Sequence, residues 1–190
     1  MKSRITNCIN ASIKVKELVL IDSEILNNIE EIVLKSVEAF NADKKMLLCG
    51  NGGSASDAQH IASELSGKFY LDRRPLFAEA LHVNSSFVTA VANDYGYDNI
   101  YSRMVEAAGR DGDILIGIST SGNSINVVNA IEKANKIGMT TIGFTGEKGG
   151  KMNDICDITI RIPSTDTPRI QELHILVGHI ICQLIEEELF

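Results

Sequence analysis

The sequence predicts an α/β fold, a parallel sheet of about five strands covered on both faces by helices. Three observations point there. Short runs suited to buried strands, at Met46 to Cys49, Asp113 to Ile118, Thr140 to Thr145 and Asp157 to Ile162, alternate with longer amphipathic segments. Two of these runs pass directly into a loop of small residues and then into a helical pattern. No linker, repeat or low-complexity tract divides the 190 residues, so one domain over 1–190 is expected.

Taken in order, the chain starts with two amphipathic helices within 1–41. The first places Ile5, Ile9 and Ile13 on one side and ends near Ile21. The second runs from Asp22 to Phe40 and repeats Ile25, Leu26, Ile29, Ile32, Val33, Val37 and Phe40 at helical spacing, with Asp22 or Ser23 as its cap. These helices form an extra layer ahead of an α/β core over 45–190. They can cover the sheet or pack on another subunit.

Met46 to Cys49 then leads into Gly50-Asn-Gly-Gly-Ser54, whose glycines let the backbone turn sharply and approach a ligand. Ser54 is read as the N-cap of a helix that ends at Gly67, with Asp57 completing a capping-box variant. A helix start with free N–H groups binds anions, phosphate above all. The same glycines would also serve a tight structural turn, and their spacing matches neither the dinucleotide fingerprint nor the P-loop. His60 and Glu64 follow at i and i+4, on one face of that helix.

Phe77 to Val83 is expected to be a second strand, with His82 read as structural. Val88 to Tyr97 reads as a short apolar stretch followed by a polar turn at Asn93-Asp94-Tyr-Gly96. Asp113 to Ile118 feeds the second small-residue loop, Ser119-Thr-Ser-Gly-Asn-Ser124, followed by a helix from Ile125 to Lys136 that stops at Gly138. Its clustered hydroxyls beside a helix N-terminus suit a phosphate or a sugar phosphate. Gly146 to Gly150 marks a turn between the last two strands. Pro168 then fits the first turn of a final helix that reaches Glu187. The broad apolar surface of that helix suggests burial on more than one side.

Composition narrows the function. A net charge of −7 without any basic run argues against a nucleic-acid partner. An anionic substrate must therefore be held by local N–H groups and hydroxyls. Cys8, Cys49, Cys156 and Cys182 lie far apart, which fits reduced thiols of a cytoplasmic protein. No apolar stretch nears the roughly 20 residues of a membrane span, and no signal peptide is expected.

Five motifs together carry a resemblance. They are Gly50-Asn-Gly-Gly-Ser54, His60-x-x-x-Glu64-Leu-x-Gly67, Asn93-Asp94-x-Gly96, Gly117-Ile-Ser-Thr-Ser-Gly-Asn-Ser124 and Arg169-Ile-Gln-Glu-x-His174. The chain resembles the sugar isomerase (SIS) domain, and within it the phosphoheptose isomerase family, over nearly its whole length. The resemblance implies a flavodoxin-like three-layer α/β/α sandwich. It also implies an aldose–ketose isomerase that converts sedoheptulose 7-phosphate to D-glycero-D-manno-heptose 7-phosphate for lipopolysaccharide or other surface glycans. Substrate contacts are implied at Asn51, Gly52, Gly53, Ser54, Glu64, Asn93, Asp94, Ser119, Thr120, Ser121, Ser124 and Gln171. Zinc ligands are implied at His60, Glu64, Gln171 and His179, and catalytic roles at Glu64 and His179. A homotetramer is implied as well. Lys68 departs from the arginine that close relatives often carry after the glycine, so a point charge replaces a bidentate fork there.

The residues agree with that chemistry on their own. Moving a proton between adjacent carbons through an enediol needs a base at carbon and an acid or metal at oxygen. Glu64 suits the first task and His179 the second, although His179 alone also reads as a core or interface histidine. A runner-up from another class is a non-catalytic SIS regulator that binds a replication initiator; it would need no proton-transfer set. Gln171 and His179 are separated by about 12 Å of helix rise. That distance suggests sites at subunit interfaces, with His60 and Glu64 joined by groups from more than one chain.

Overall fold

The structure is a computed structural model that describes residues 1–190. Its elements are α1 (Lys2–Leu20), α2 (Ser23–Asn41), β1 (Met46–Gly50), α3 (Gly53–Ser66), β2 (Ala78–Ala80), α4 (Ser85–Tyr95), α5 (Ile100–Ala108), β3 (Ile114–Ile118), α6 (Ile125–Ile137), β4 (Thr140–Gly146), α7 (Met152–Ile155), β5 (Ile158–Ile162) and α8 (Thr167–Leu189). A 3₁₀ turn, Tyr97–Asn99, joins α4 to α5.

The five strands are all parallel, in the order β2-β1-β3-β4-β5. Side chains alternate between the faces, as strand geometry requires. Met46, Leu48, Ile114, Ile116 and Ile118 face a core closed by α1, α2, α3 and α8. Leu47, Cys49 and Leu115 face a second core closed by α5 and α6, with Val91 of α4 and Met152 of α7. Helices on both faces of a parallel sheet were expected, and this is what forms.

The strand order decides where the loops meet. The chain runs outward from β1 to β2, then crosses back to β3 on the other side of β1. The carboxyl ends of β1 and β3 therefore flank the switch point, where ligands bind in such sheets. The glycine loop leaves β1 there and the serine loop leaves β3.

Local signals explain most boundaries. Asp22 caps α2 by accepting from the N–H groups of Glu24 and Ile25 at 3.0 and 3.1 Å. Gly138 ends α6 in the left-handed region at φ 90°. Pro168 lies in the first turn of α8.

Several expectations need correcting. α3 is capped at Gly52 with no side-chain cap, and Ser54 lies inside the first turn, so the capping box at Ser54 and Asp57 does not form. The stretch read as a polar turn at 93–96 is the last turn of α4, closed by Gly96 at φ 86°. α5 and α7 were not anticipated. β2 is shorter than Phe77 to Val83 because it is an edge strand paired only with β1, and its ladder stops just past Ala80. No helix is long and apolar enough to cross a membrane.

Candidate active site

α3 and α8 bring the ionisable residues together. His60 and Glu64 face outward from α3, and the Nε2 of His60 lies 2.9 Å from Oε1 of Glu64. His179 comes from the middle of α8, with its Nε2 3.4 Å from that of His60 and the two rings edge to face. Ligand-capable atoms of His60, Glu64 and His179 all lie within 4.8 Å of one another. The helices can approach this closely because Gly178 meets Ile61, each the immediate neighbour of a site histidine. One chain therefore supplies the whole cluster. No second subunit is needed to bring His179 to Glu64, because α8 crosses α3 at the level of His60.

Asp57 belongs to the same neighbourhood, although the sequence reading used it only as a cap. Burial pushes its carboxyl up, while His60 and His179 act in the opposite direction. Its i, i+3 spacing from His60 was the available signal.

Gln171 sits one turn into α8 and points at the glycine loop. A Cβ on Gly53 would lie 2.8 Å from its Nε2, so a larger residue there would displace that amide. Gln171 is thus beside the loop, and no hydrogen bond joins it to His179.

The glycine loop is held from several sides. Asn51 and Asn126 exchange reciprocal amide hydrogen bonds, both 2.9 Å, which tie the loop after β1 to the first turn of α6. The Tyr97 hydroxyl donates to Oδ1 of Asn51 at 3.2 Å, and the Tyr101 hydroxyl donates to the Gly50 carbonyl. Gly52 adopts φ 55°, which L side chains rarely adopt. The N–H groups of Ser54, Ala55 and Ser56 are not free, contrary to the sequence reading. They donate to the carbonyls of Asn51 and Gly52 and tighten the first turn. Ser54 itself is buried.

In the serine loop three hydroxyls converge. Oγ of Ser119 lies 2.9 Å from that of Ser124 and 3.4 Å from that of Ser121, and Ser121 Oγ also accepts from the Asn123 N–H. Thr120 and Ser121 open onto a cavity of about 300 Å³ that Lys148, Ser164, Thr165 and Thr167 also line. Asn93 and Asp94 bond to each other at the exposed end of α4, and no hydrogen bond joins them to the other groups. Asn126 and Tyr97 were missed, because neither lies in a motif that draws attention.

His174, within the resemblance motif of α8, is a core residue. Its Nε2 lies 3.1 Å from the Thr145 carbonyl, and burial pushes its pKa down to about 4. His82 is partly buried with Nδ1 unpartnered, and burial holds it below its usual value.

The donor set suits a transition metal. Two imidazoles and a carboxylate are ordinary zinc ligands, and three protein ligands with an open side mark catalytic zinc sites. The side is open here: the His60 and Glu64 side chains keep 47% and 22% of their exposure.

Comparisons with known proteins show the family. The SIS domain family matches residues 15–146. The chain is similar to the phosphoheptose isomerase of Clostridium acetobutylicum, 53% identical over 100% of this chain and 97% of that one. It is also similar to that of Aneurinibacillus thermoaerophilus, 50% identical over 100% and 96%. Among solved structures it is similar to a phosphoheptose isomerase from Neisseria gonorrhoeae, with a TM-score of 0.92 and 39% identity over 98% of each chain.

Proposed function

Since this chain belongs to the SIS domain family, among its phosphoheptose isomerases, we infer that it is an aldose–ketose isomerase that converts sedoheptulose 7-phosphate to D-glycero-D-manno-heptose 7-phosphate. The observation that carries the site assignment is the His60–Glu64–His179 cluster, built on the helix that follows the glycine loop. A regulator without catalysis has no use for such a cluster.

Each part has a task. Ser119, Ser121 and Ser124, with the N-terminus of α6, hold the phosphate in a chain whose net charge of −7 gives no general attraction to anions. Asn51, Gly52, Gly53 and Gln171 orient the sugar against the cluster, and Thr120, Asn93 and Asp94 complete the substrate contacts. Glu64 removes the proton from the carbon beside the carbonyl and returns it to the neighbouring carbon. A carboxylate has two oxygens, so one can bind a ligand while the other works as base. His179 moves the proton between the two substrate oxygens. His60, Glu64 and His179 would hold zinc, which would supply a Lewis acid to polarise the carbonyl, while Gln171 stays with the substrate contacts at the glycine loop.

α1 supports a homotetramer, since Ile5, Ile9 and Ile13 form an apolar stripe 53%, 55% and 46% exposed. The four unpaired thiols fit work in the cytoplasm, at the start of heptose supply for surface glycans. The testing experiment is conversion of sedoheptulose 7-phosphate by purified protein, with and without a chelator. Turnover that the chelator abolishes supports the function and the metal together; no turnover in zinc-loaded protein contradicts the function.

A further inference from the structure

The segment between α3 and β2 contains a buried ion pair that the chemistry above does not use. Arg73 and Glu186 each keep only 2% of their side-chain exposure, and Nε of Arg73 donates to Oε2 of Glu186 at 2.8 Å. Burial alone would raise the Glu186 carboxyl. The N–H groups of Leu71, Tyr70 and Phe69 and the Arg73 guanidinium outweigh that, and hold it below the usual carboxylate range.

The terminal guanidinium nitrogens reach the end of α3, with one further bond from Nη1 to the Arg74 carbonyl at 3.1 Å. Nη2 of Arg73 donates to the Glu64 carbonyl at 3.0 Å, and Nη1 donates to the Leu65 carbonyl at 2.8 Å. These acceptors lie in the last turn of the helix, where carbonyls lack helical partners. One of them is the backbone of Glu64 itself. The carboxylate side of the pair belongs to α8, two turns beyond His179. Glu186 also accepts from Tyr70 and Leu71, both at 2.7 Å, and from Phe69 at 3.3 Å. The Phe69 ring in turn lies 5.8 Å from the His179 ring. The pair therefore links the backbone of one cluster residue to the ring environment of another, across the two helices that share the site.

We propose that Arg73 and Glu186 are positioning residues for the His60–Glu64–His179 centre, fixing α3 against α8 so that the three donors meet in one small volume. This rests on the metal-binding isomerase reading of that cluster. A carboxylate with three backbone donors and a bidentate-capable cation is a rigid joint. A buried ion pair contributes little net stability compared with apolar packing, so geometry is the better account of this one. Partners behind metal ligands typically alter metal affinity or activity by about 10–100-fold when removed.

A matched control exists in the same chain. Asp113 is also a buried carboxylate, accepting from Lys45 Nζ at 2.5 Å and from the N–H groups of Lys45 and Arg110, but at the opposite end of the sheet. The test compares zinc affinity of metal-free wild type, Glu186→Gln, Arg73→Lys and Asp113→Asn, each confirmed folded by circular dichroism, with the visible spectrum of the cobalt(II) forms as a second readout. Expected is an affinity loss of about 10–100-fold in the two clamp variants with an altered cobalt spectrum, and neither change in Asp113→Asn. Equal affinity and spectra in all four proteins would overturn the positioning role. An equal loss in Asp113→Asn would overturn it too, since general softening would then explain the effect.

If the clamp variants do not fold, hydrogen exchange on wild type decides. Coupling is reciprocal, so zinc must then protect the Tyr70 and Leu71 amides more than those of Lys45 and Arg110. Equal protection would overturn the inference. Wild type that turns over sugar phosphate and binds zinc isolates a failure to the clamp. Wild type that does neither removes the isomerase reading and the clamp together.

Discussion

Gly178 lies so close to Ile61 that a methyl group on the glycine would sit 2.5 Å from Cδ1 and 2.7 Å from Cγ1 of the isoleucine. Ile61 is buried and β-branched, so it has little freedom to move. Gly178→Ala should therefore push α8 off α3. Overpacking costs about 1–3 kcal/mol, and the better helix propensity of alanine returns about 1 kcal/mol. Stability should thus fall by only about 0–2 kcal/mol, while kcat/KM drops well beyond that, because His60 and His179 separate. Equal turnover in a folded Gly178→Ala variant would show that the close approach is packing alone.

Glu64→Gln keeps the size of the side chain and removes the base. Turnover should fall by about 10²-fold or more, with substrate affinity changed much less. Near-normal turnover would remove Glu64 from the proton transfer. Because one chain brings Glu64 and His179 together, verified mixed assemblies of Glu64→Gln and His179→Ala subunits should regain no activity beyond either parent. Partial recovery would mean that the working site borrows a residue across an interface.

The serine loop should act on binding. Ser121→Ala and Ser124→Ala should each weaken sugar-phosphate binding by about 1–2 kcal/mol, the loss of one hydrogen bond. Calorimetric titration with substrate measures this, and unchanged affinity in both variants would contradict the phosphate cradle.

His174 gives a pH prediction with a definite sign. Its folded pKa is depressed to about 4, so the native state resists a proton that the unfolded chain takes up near pH 6.5. Above that pH the group has no effect. As pH falls from about 6.5 to about 4, unfolding is favoured by up to about 3 kcal/mol, and below that the loss levels off. Partly buried His82 acts in the same direction. Denaturant midpoints for wild type and His174→Gln across this range should show a shallower slope in the variant. Identical slopes would mean that His174 is not held neutral.

How far the sequence disclosed this molecule depends on the range of the interactions. The buried strands were legible, because Met46 to Cys49 and Ile114 to Ile118 are continuous apolar runs between turn residues. The cap at Asp22 and the stop at Gly138 were legible for the same local reason. Asn93 and Asp94 misled, since a polar pair before glycine reads as a turn; tertiary packing of Val91 carries α4 through it. α5 is short, and its buried Ile100, Tyr101 and Val105 are too few to declare a period. His60 and Glu64 were readable as a pair because i and i+4 share a helix face. Their meeting with His179 across 119 positions, and that of Arg73 with Glu186 across 113, was not a matter of spacing. Those contacts depend on where α8 crosses α3, which Gly178 and Ile61 allow.

The most direct measurement is turnover of sedoheptulose 7-phosphate by metal-free protein as zinc is added back, for wild type and for His60→Ala. If His60, Glu64 and His179 of a single chain form the working centre, wild-type turnover rises from near zero and levels off at about one zinc per chain, as expected for a catalytic zinc site with three protein ligands. His60→Ala then needs far more zinc or stays inactive. Full turnover without metal, or a His60→Ala curve that overlays the wild type, would contradict it.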